Sequence, residues 1–188
     1  MGSGQDVSNS IIQHYERNWG QDFESVFWDG GGSINLTCPD FRILRFRPRG
    51  ERNLWTYATV GMSLSNAYEG LELHMFAPVA SREIEEILVA TAAYHLDEAT
   101  LSLGDTVNFG RGWLQSSECD HGLISLPYLD GPNLEILDLA SSKTRFLWLV
   151  PITAREKNFK KEHGIEALEE AFELAGLNYA DPTRASIV

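Results

Sequence analysis

Leu54-Trp-Thr-Tyr-Ala-Thr-Val-Gly-Met-Ser63, a short polar insert and then Leu71-Glu-Leu-His-Met-Phe76 decide how this chain folds. Trp55, Tyr57 and Thr59 fall on one side of an extended segment, and Leu71, Leu73 and Met75 on one side of the next. This is the two-residue period of half-buried strands. The spacing predicts two neighbouring strands joined by a turn, with the rest of the chain packed around them. Glu72 and His74 then share the opposite side of the second strand, placed to meet a ligand or a catalytic water.

Working back from this pair, Val7, Ile11, Ile12, Tyr15 and Trp19 recur at helical steps. They predict an amphipathic helix within residues 1–20 that ends near Gly20 and lies against the sheet. Met1 to Gly4 is set aside from this reading. Asp29-Gly-Gly-Gly-Ser33 is a flexible break; a phosphate cradle would need a preceding strand, a following helix and a P-loop lysine. Ile34 to Pro48 reads as one or two strands closed by a turn at Pro48-Arg-Gly50. Arg42, Arg45, Arg47, Arg49 and Arg52 form the one basic island, expected as solvated charges along a sheet edge that discourage aggregation.

Working forward, Pro78 ends the second strand and Ser81 is placed to cap a helix. Ile84, Ile87, Leu88, Thr91 and His95 share one face of it, while Glu83, Glu85 and Glu86 put acid in its first turn, solvated and matched to the helix dipole. Gly104 to Trp113, which includes Asp105, Asn108 and Arg111, reads as a short strand entering a glycine-rich loop, a setting that often carries function. Leu123 to Leu129, interrupted by Pro127, suits an edge strand. Leu134 to Leu139 and Arg145 to Pro151 are further strands, the second apolar on both faces and therefore central. Thr153-Ala-Arg-Glu156 has the form of a capping box opening a helix toward Gly164. Ile165 to Ala175 continues as a second helix stopped by Gly176, and Asp181 to Val188 is a tail laid on the surface. Strands and helices mix without βαβ alternation, so the expected class is α+β: one domain with a mixed, largely antiparallel sheet flanked by helices.

At 188 residues and 43% hydrophobic, the chain is long and apolar enough for one core without metal or disulfide staples. A net charge of -12 disfavours nucleic acid and anionic membrane and favours a basic protein partner. Cys38 and Cys119 lack a CxxC or zinc spacing, pointing to a reducing compartment. No apolar run approaches the roughly 18 residues of a span and no secretory signal is visible, so a cytoplasmic protein is expected.

Chemistry-bearing candidates are few. Glu72 and His74 lack a nucleophile motif such as GxSxG, and a structural pair or a binding surface is the favoured reading. Cys119-Asp120-His121 is consecutive, and consecutive side chains of an extended chain diverge, so a polar loop is expected. His14, His95 and His163 have no second ligand at helical spacing, and neither a metal nor a cofactor is expected. Trp55, Tyr57, Trp113 and Tyr128 each read singly as core residues, and their joint placement on strands that border the glycine-rich loop offers the alternative of an aromatic recognition surface.

Trp55-x-Tyr57 with Gly61-Met-Ser63, Leu71 to Phe76, the helix Ile84 to His95, Gly104-Asp105 with Trp113, Phe146 to Val150, Thr153 with Glu156, and Gly164-Ile165 with Leu168 occur in an order that resembles the Suppressor of fused (SUFU) domain family. The resemblance covers residues 54–175 within a domain of residues 21–188, to which the helix of 1–20 belongs. It implies binding rather than catalysis. In animals the related protein restrains Gli-type transcription factors, whose peptide adds as a strand between this domain and a second one. Stand-alone bacterial members are proposed to be immunity proteins that neutralise toxins of polymorphic secretion systems, and the expected partner here is a basic toxin or an extended peptide. The residues expected to bind it are Trp55, Tyr57, Glu72, His74, Asp105, Asn108, Arg111, Trp113 and Tyr128. Two other readings stay open: a peptide-binding regulatory adaptor working by strand addition, and a small hydrolase-like enzyme built on Glu72, His74 and Asp105.

Overall fold

The computed structural model describes residues 3–50, 52–65, 69–140 and 142–188. In chain order the helices are α1 (Ser3–Trp19), α2 (Ile34–Thr37), α3 (Arg82–Asp97), α4 (Pro132–Glu135), α5 (Ala154–His163) and α6 (Ile165–Ala175). The strands are β1 (Phe23–Phe27), β2 (Arg42–Phe46), β3 (Trp55–Val60), β4 (Glu69–Ala77), β5 (Thr106–Asn108), β6 (His121–Ser125), β7 (Ile136–Leu139) and β8 (Ser142–Ile152). They form one mixed sheet in the order β1-β2-β3-β4-β8-β6-β5, with β7 paired to the first residues of β8. Every pairing is antiparallel except β4 with β8, which is parallel. The α+β class and the central place of β8 are as expected.

The strands expected to be half-buried are covered on both faces. Leu71, Leu73 and Met75 of β4 join Tyr57, Leu147 and Leu149 beneath Ile84, Ile87 and Leu88 of α3. The opposite face is covered in two patches. Ile11 and Tyr15 of α1 pack on Leu44, Phe46, Ala58, Val60 and Phe146. Leu168 of α6 packs on Leu123, Trp148, Val150, Ile152 and Phe76. Alternation along β3 and β4 therefore separates two cores rather than core from water.

Several local expectations are corrected. Ile34–Thr37 is one helical turn, not a strand; Cys38 precedes Pro39, and a pre-proline residue resists helical backbone, so the turn goes no further. The basic island does not lie on an edge, because β1 pairs outside β2 and sets Glu24 directly opposite Arg45. Arg45 and Arg47 both bind Glu24, and Arg45 also reaches Glu85 at 3.2 Å. Glu85 is buried rather than solvated, and that burial raises its carboxyl pKa. Pro127 lies beyond β6, which is flanked by β8 and β5 and is not an edge. Pro132 opens α4 as its first residue, which delays the following strand to Ile136.

The predicted caps are present. Ser81 Oγ accepts from the Glu83 N–H at 3.1 Å, and Thr153 with Glu156 makes a reciprocal capping box at α5. Gly176 ends α6 in the left-handed region. Gly61 turns out of β3 at φ 114°, where a Cβ would lie 3.1 Å from Cys38 Sγ and 3.3 Å from Phe41 Cα, so both backbone and space require glycine.

Candidate functional site

A groove of about 850 Å3 lies between α3 and β5. β5 ends the sheet: it pairs with β6 through Thr106/Leu123 to Asn108/His121, and its other side has no strand among the described residues. Tyr94 and Asp97 of α3, and Glu98 just beyond it, line one wall together with Ile87 at the margin of the α3 core stripe. Asn108 and Arg111 come from β5 and its loop. Arg111 Nη2 lies 2.5 Å from Glu86 Oε2 and ties the loop to α3. Hydroxyl donors from Ser33 and Thr37 hold the Asp97 carboxyl below its usual pKa, so Asp97 stays ionised. A half-open groove with acidic residues and an unpaired strand edge can take an extended, basic segment.

The structure divides the residues singled out from sequence. Asn108 and Arg111 are exposed in the groove. Asp105 accepts from the Ser102 N–H at 2.7 Å and the Ser102 hydroxyl at 2.9 Å, shaping the turn into β5. Trp113 is wholly buried beneath α3, and Tyr57 is too, its hydroxyl oxygen accepting the Ser81 N–H at 2.8 Å. Trp55 is half-buried at the same core's margin under Arg47. Tyr128 is exposed on the opposite side of the molecule, beside α6. Tyr94, missed by the sequence reading, follows Ile87 by seven residues and so extends the edge of the apolar face of α3 to an exposed position.

Glu72 and His74 share the face beneath α1 and are both fully buried. Glu72 Oε1 accepts from Gly61 N–H at 3.0 Å, Ser63 N–H at 3.0 Å and Ser63 hydroxyl at 2.7 Å, and Oε2 from Thr59 hydroxyl at 2.5 Å. Burial raises its pKa against these four donors. His74 Nε2 lies 3.7 Å from Asp130 Oδ2, and loss of hydration on burial lowers its pKa to about 4. Asp130 Oδ1 meanwhile accepts from Trp19 Nε1 at 2.7 Å and from Arg52. The two residues thus brace the turn after β3 and the packing of α1.

Cys119 is wholly buried, and desolvation raises its thiol pKa; the Cys38 thiol is pushed up to about 11. Thiolates are the reactive form, so neither cysteine is poised as a nucleophile. His121 Nδ1 meets Asp120 Oδ1 at 2.7 Å, a neighbouring pair that leaves Cys119 aside. Among the described residues no group of three or more His, Cys, Asp and Glu side chains could hold a metal ion, and no helix is long and apolar enough to cross a membrane.

Comparison with known proteins agrees with this architecture. The Immunity protein YqcF of Bacillus subtilis (strain 168) is 20% identical over 171 residues, covering 86% of each chain. The crystal structure of a SUFU (suppressor of fused protein) homolog from Neisseria gonorrhoeae FA 1090 superposes with a TM-score of 0.86 at 33% identity, covering 98% of both chains. Drosophila Suppressor of Fused shares the fold at a TM-score of 0.67 and 14% identity, over 98% of this chain and 51% of that one. The Sufu-Fu complex structure does so at 0.68 and 13%, over 97% and 91%. The sequence profile described as Suppressor of fused protein (SUFU) matches residues 39–185, wider at both ends than the stretch 54–175 whose motifs carry the resemblance. With that match over most of its length and the close superposition on the gonococcal homolog, the chain belongs to the Suppressor of fused family.

Proposed function

We propose that this chain is a non-catalytic immunity protein that binds a basic toxin of a bacterial polymorphic toxin system and holds it at the groove between α3 and β5. The observation that carries this reading is the groove itself, where Asp97 and Glu98 stand beside the free edge of β5. Main-chain bonds to the edge supply affinity, and the acidic wall selects positive charge. The net charge of -12 steers a basic partner inward. Likeness to the Immunity protein YqcF supports the same reading, as do the burial of Glu72 and His74 and the raised thiol pKa values, which leave none of them poised for catalysis.

Co-expression with the product of an adjacent gene tests it. That product should arrest growth alone and be neutralised by this chain, and Tyr94→Ala with Glu98→Lys should abolish rescue while the variant stays folded. The reading fails if no neighbour is toxic or if the variant protects as well as the wild type. The free edge of β5 also favours a second reading, a regulatory adaptor that captures an extended peptide by strand addition. Pull-down would then return a non-toxic partner whose binding protects the β5 amides from hydrogen exchange.

A further inference from the structure

On the opposite side of the sheet, the α1 and α6 patches do not meet. Between them runs a cleft whose α6 half holds about 290 Å3 and whose Arg52 half holds about 340 Å3, with Leu129 and Tyr179 lining both. Its floor in the α6 half is apolar: Leu123, Val150 and Phe172 flank Trp148, whose ring stands edge-on to Tyr179 at 4.9 Å and 89°. Two polar features interrupt that floor and wall. Trp148 is 6% exposed and its Nε1–H has no acceptor among the described residues. That nitrogen is itself shielded from solvent, so the indole reports on the cleft through its ring rather than as an open donor. Glu169 is held over the cleft by hydroxyls from both sides, Ser125 Oγ donating to Oε1 at 2.9 Å and Tyr128 to Oε2 at 3.2 Å. Each carboxylate oxygen still has a free lone pair. Glu173, four residues on and so on the same helical face, lines the same half, where no Lys or Arg among the described residues joins the two carboxylates in the lining.

An apolar stem and a cationic planar head together match these features. We propose that the α6 half of the cleft is a receptor pocket for an arginine side chain presented by a protein or peptide partner. The aliphatic stem lies along Leu123, Val150 and Phe172, and the guanidinium pairs with Glu169 and Glu173 against the Tyr128 ring. Arginine fits better than lysine because its planar fork suits a carboxylate and stacks on aromatic rings. Phosphate-bearing ligands are opposed by the same carboxylates. In the other half of the cleft Arg52 is already engaged by Asp130 and stacked on Trp19 and Phe76, so that half does not compete for the same charge. The site lies across the sheet from the α3 groove and does not rest on the toxin reading.

The test uses the whole chain, 15N-labelled, with the Trp148 indole N–H resonance assigned through Trp148→Phe. The probes are acetyl-Gly-Arg-Gly-amide and the same peptide with citrulline, which keeps the shape and removes the charge. The arginine peptide should move the Trp148 resonance saturably. The arginine peptide on Glu169→Gln should bind about ten-fold more weakly, one charge-assisted pairing being lost, and citrulline more weakly still, since it removes the charge from both pairings. Glu173→Gln, on an exposed residue, gives the same comparison if Glu169→Gln lowers the melting temperature, and Tyr94→Ala should change nothing. An unmoved Trp148 resonance, or equal binding of the two peptides, overturns the proposal. So does concentration-dependent broadening without peptide, which would mean that a second copy of this chain fills the cleft.

Discussion

The Arg184 guanidinium grips the Glu156 carboxylate from the far end of the chain, Nη1 2.6 Å from Oε1 and Nη2 2.8 Å from Oε2. Glu156 is fully buried and Arg184 is 9% exposed. The same carboxylate completes the capping box of α5 by accepting the Thr153 N–H at 2.8 Å, and it takes the Ile187 N–H at 3.2 Å. Arg184 also donates to the Pro151 carbonyl at 2.9 Å. One acidic side chain therefore fixes the end of β8, the start of α5 and the final residues of the chain.

Breaking this pair from one side strands a buried charge, so Arg184→Ala and Glu156→Ala should each destabilise by about 3–5 kcal/mol. The double substitution should cost well under the sum of the two, because each single change already removes the shared interaction. Urea unfolding of the four proteins measures the cycle. A loss below about 1 kcal/mol for Arg184→Ala would mean that the tail is not anchored.

Glu72 should separate shape from charge. Glu72→Gln keeps an oxygen for the Gly61 and Ser63 donors and turns its amide toward Thr59 Oγ1, which can accept, so a change under about 1.5 kcal/mol is expected. Glu72→Ala leaves those donors buried without partners and opens a cavity, and about 3 kcal/mol or more should be lost. Equal effects of the two changes in urea unfolding would contradict this account of the turn.

Much of the fold is legible because local chemistry and final structure agree: the alternation in β3 and β4, the Ser81 cap, the Thr153–Glu156 capping box and the stop at Gly176. Double coverage of β4 was not legible, since Glu72 and His74 on its second face read as solvent-facing. Their partners are set only by tertiary structure, Glu72 through the turn at Gly61 and Ser63, and His74 beside Asp130, fifty-six residues on. β1 escaped notice because Phe23–Phe27 is a short edge strand whose Glu24 and Ser25 lie among aromatics, and only its pairing with the arginines of β2 identifies it. Asn108 and Arg111 do reach a common groove, but α3, remote in sequence, forms the facing wall.

The basic island should be energetically uneven. Arg45→Ala leaves Glu85, 5% exposed, without the cation at 3.2 Å, and about 2–3 kcal/mol should be lost. Arg49 is exposed, and Arg49→Ala should stay within about 0.5 kcal/mol of the wild type. Thermal denaturation of the two variants side by side checks the contrast, and similar midpoints would refute it.

His74 makes stability depend on pH in a defined window. Its ring is fully buried and faces Asp130 at 3.7 Å, Arg52, and the Trp19 and Phe76 rings at 5.4 Å each. Burial is the main cause of a native pKa of about 4; Asp130 opposes it and Arg52 reinforces it. An unfolded imidazole titrates near 6.5, so between pH 6.5 and about 4 the unfolded chain binds a proton that the native one refuses. The contribution of this group is thus complete above pH 6.5 and is lost as pH falls through that window, by up to about 1.4 kcal/mol per pH unit. His14 and His95, also lowered by burial, act in the same direction. Glu72 acts in the opposite sense: its raised pKa favours the native state below the ordinary value of 4.5, and that advantage fades as pH rises. The informative quantity is therefore the difference between wild type and His74→Phe, an aromatic exchange of similar shape. Urea unfolding from pH 4.5 to 7.5 should show a shallower loss of stability on acidification in the variant, and parallel curves would mean that His74 is protonated as readily in the native state as in the unfolded one.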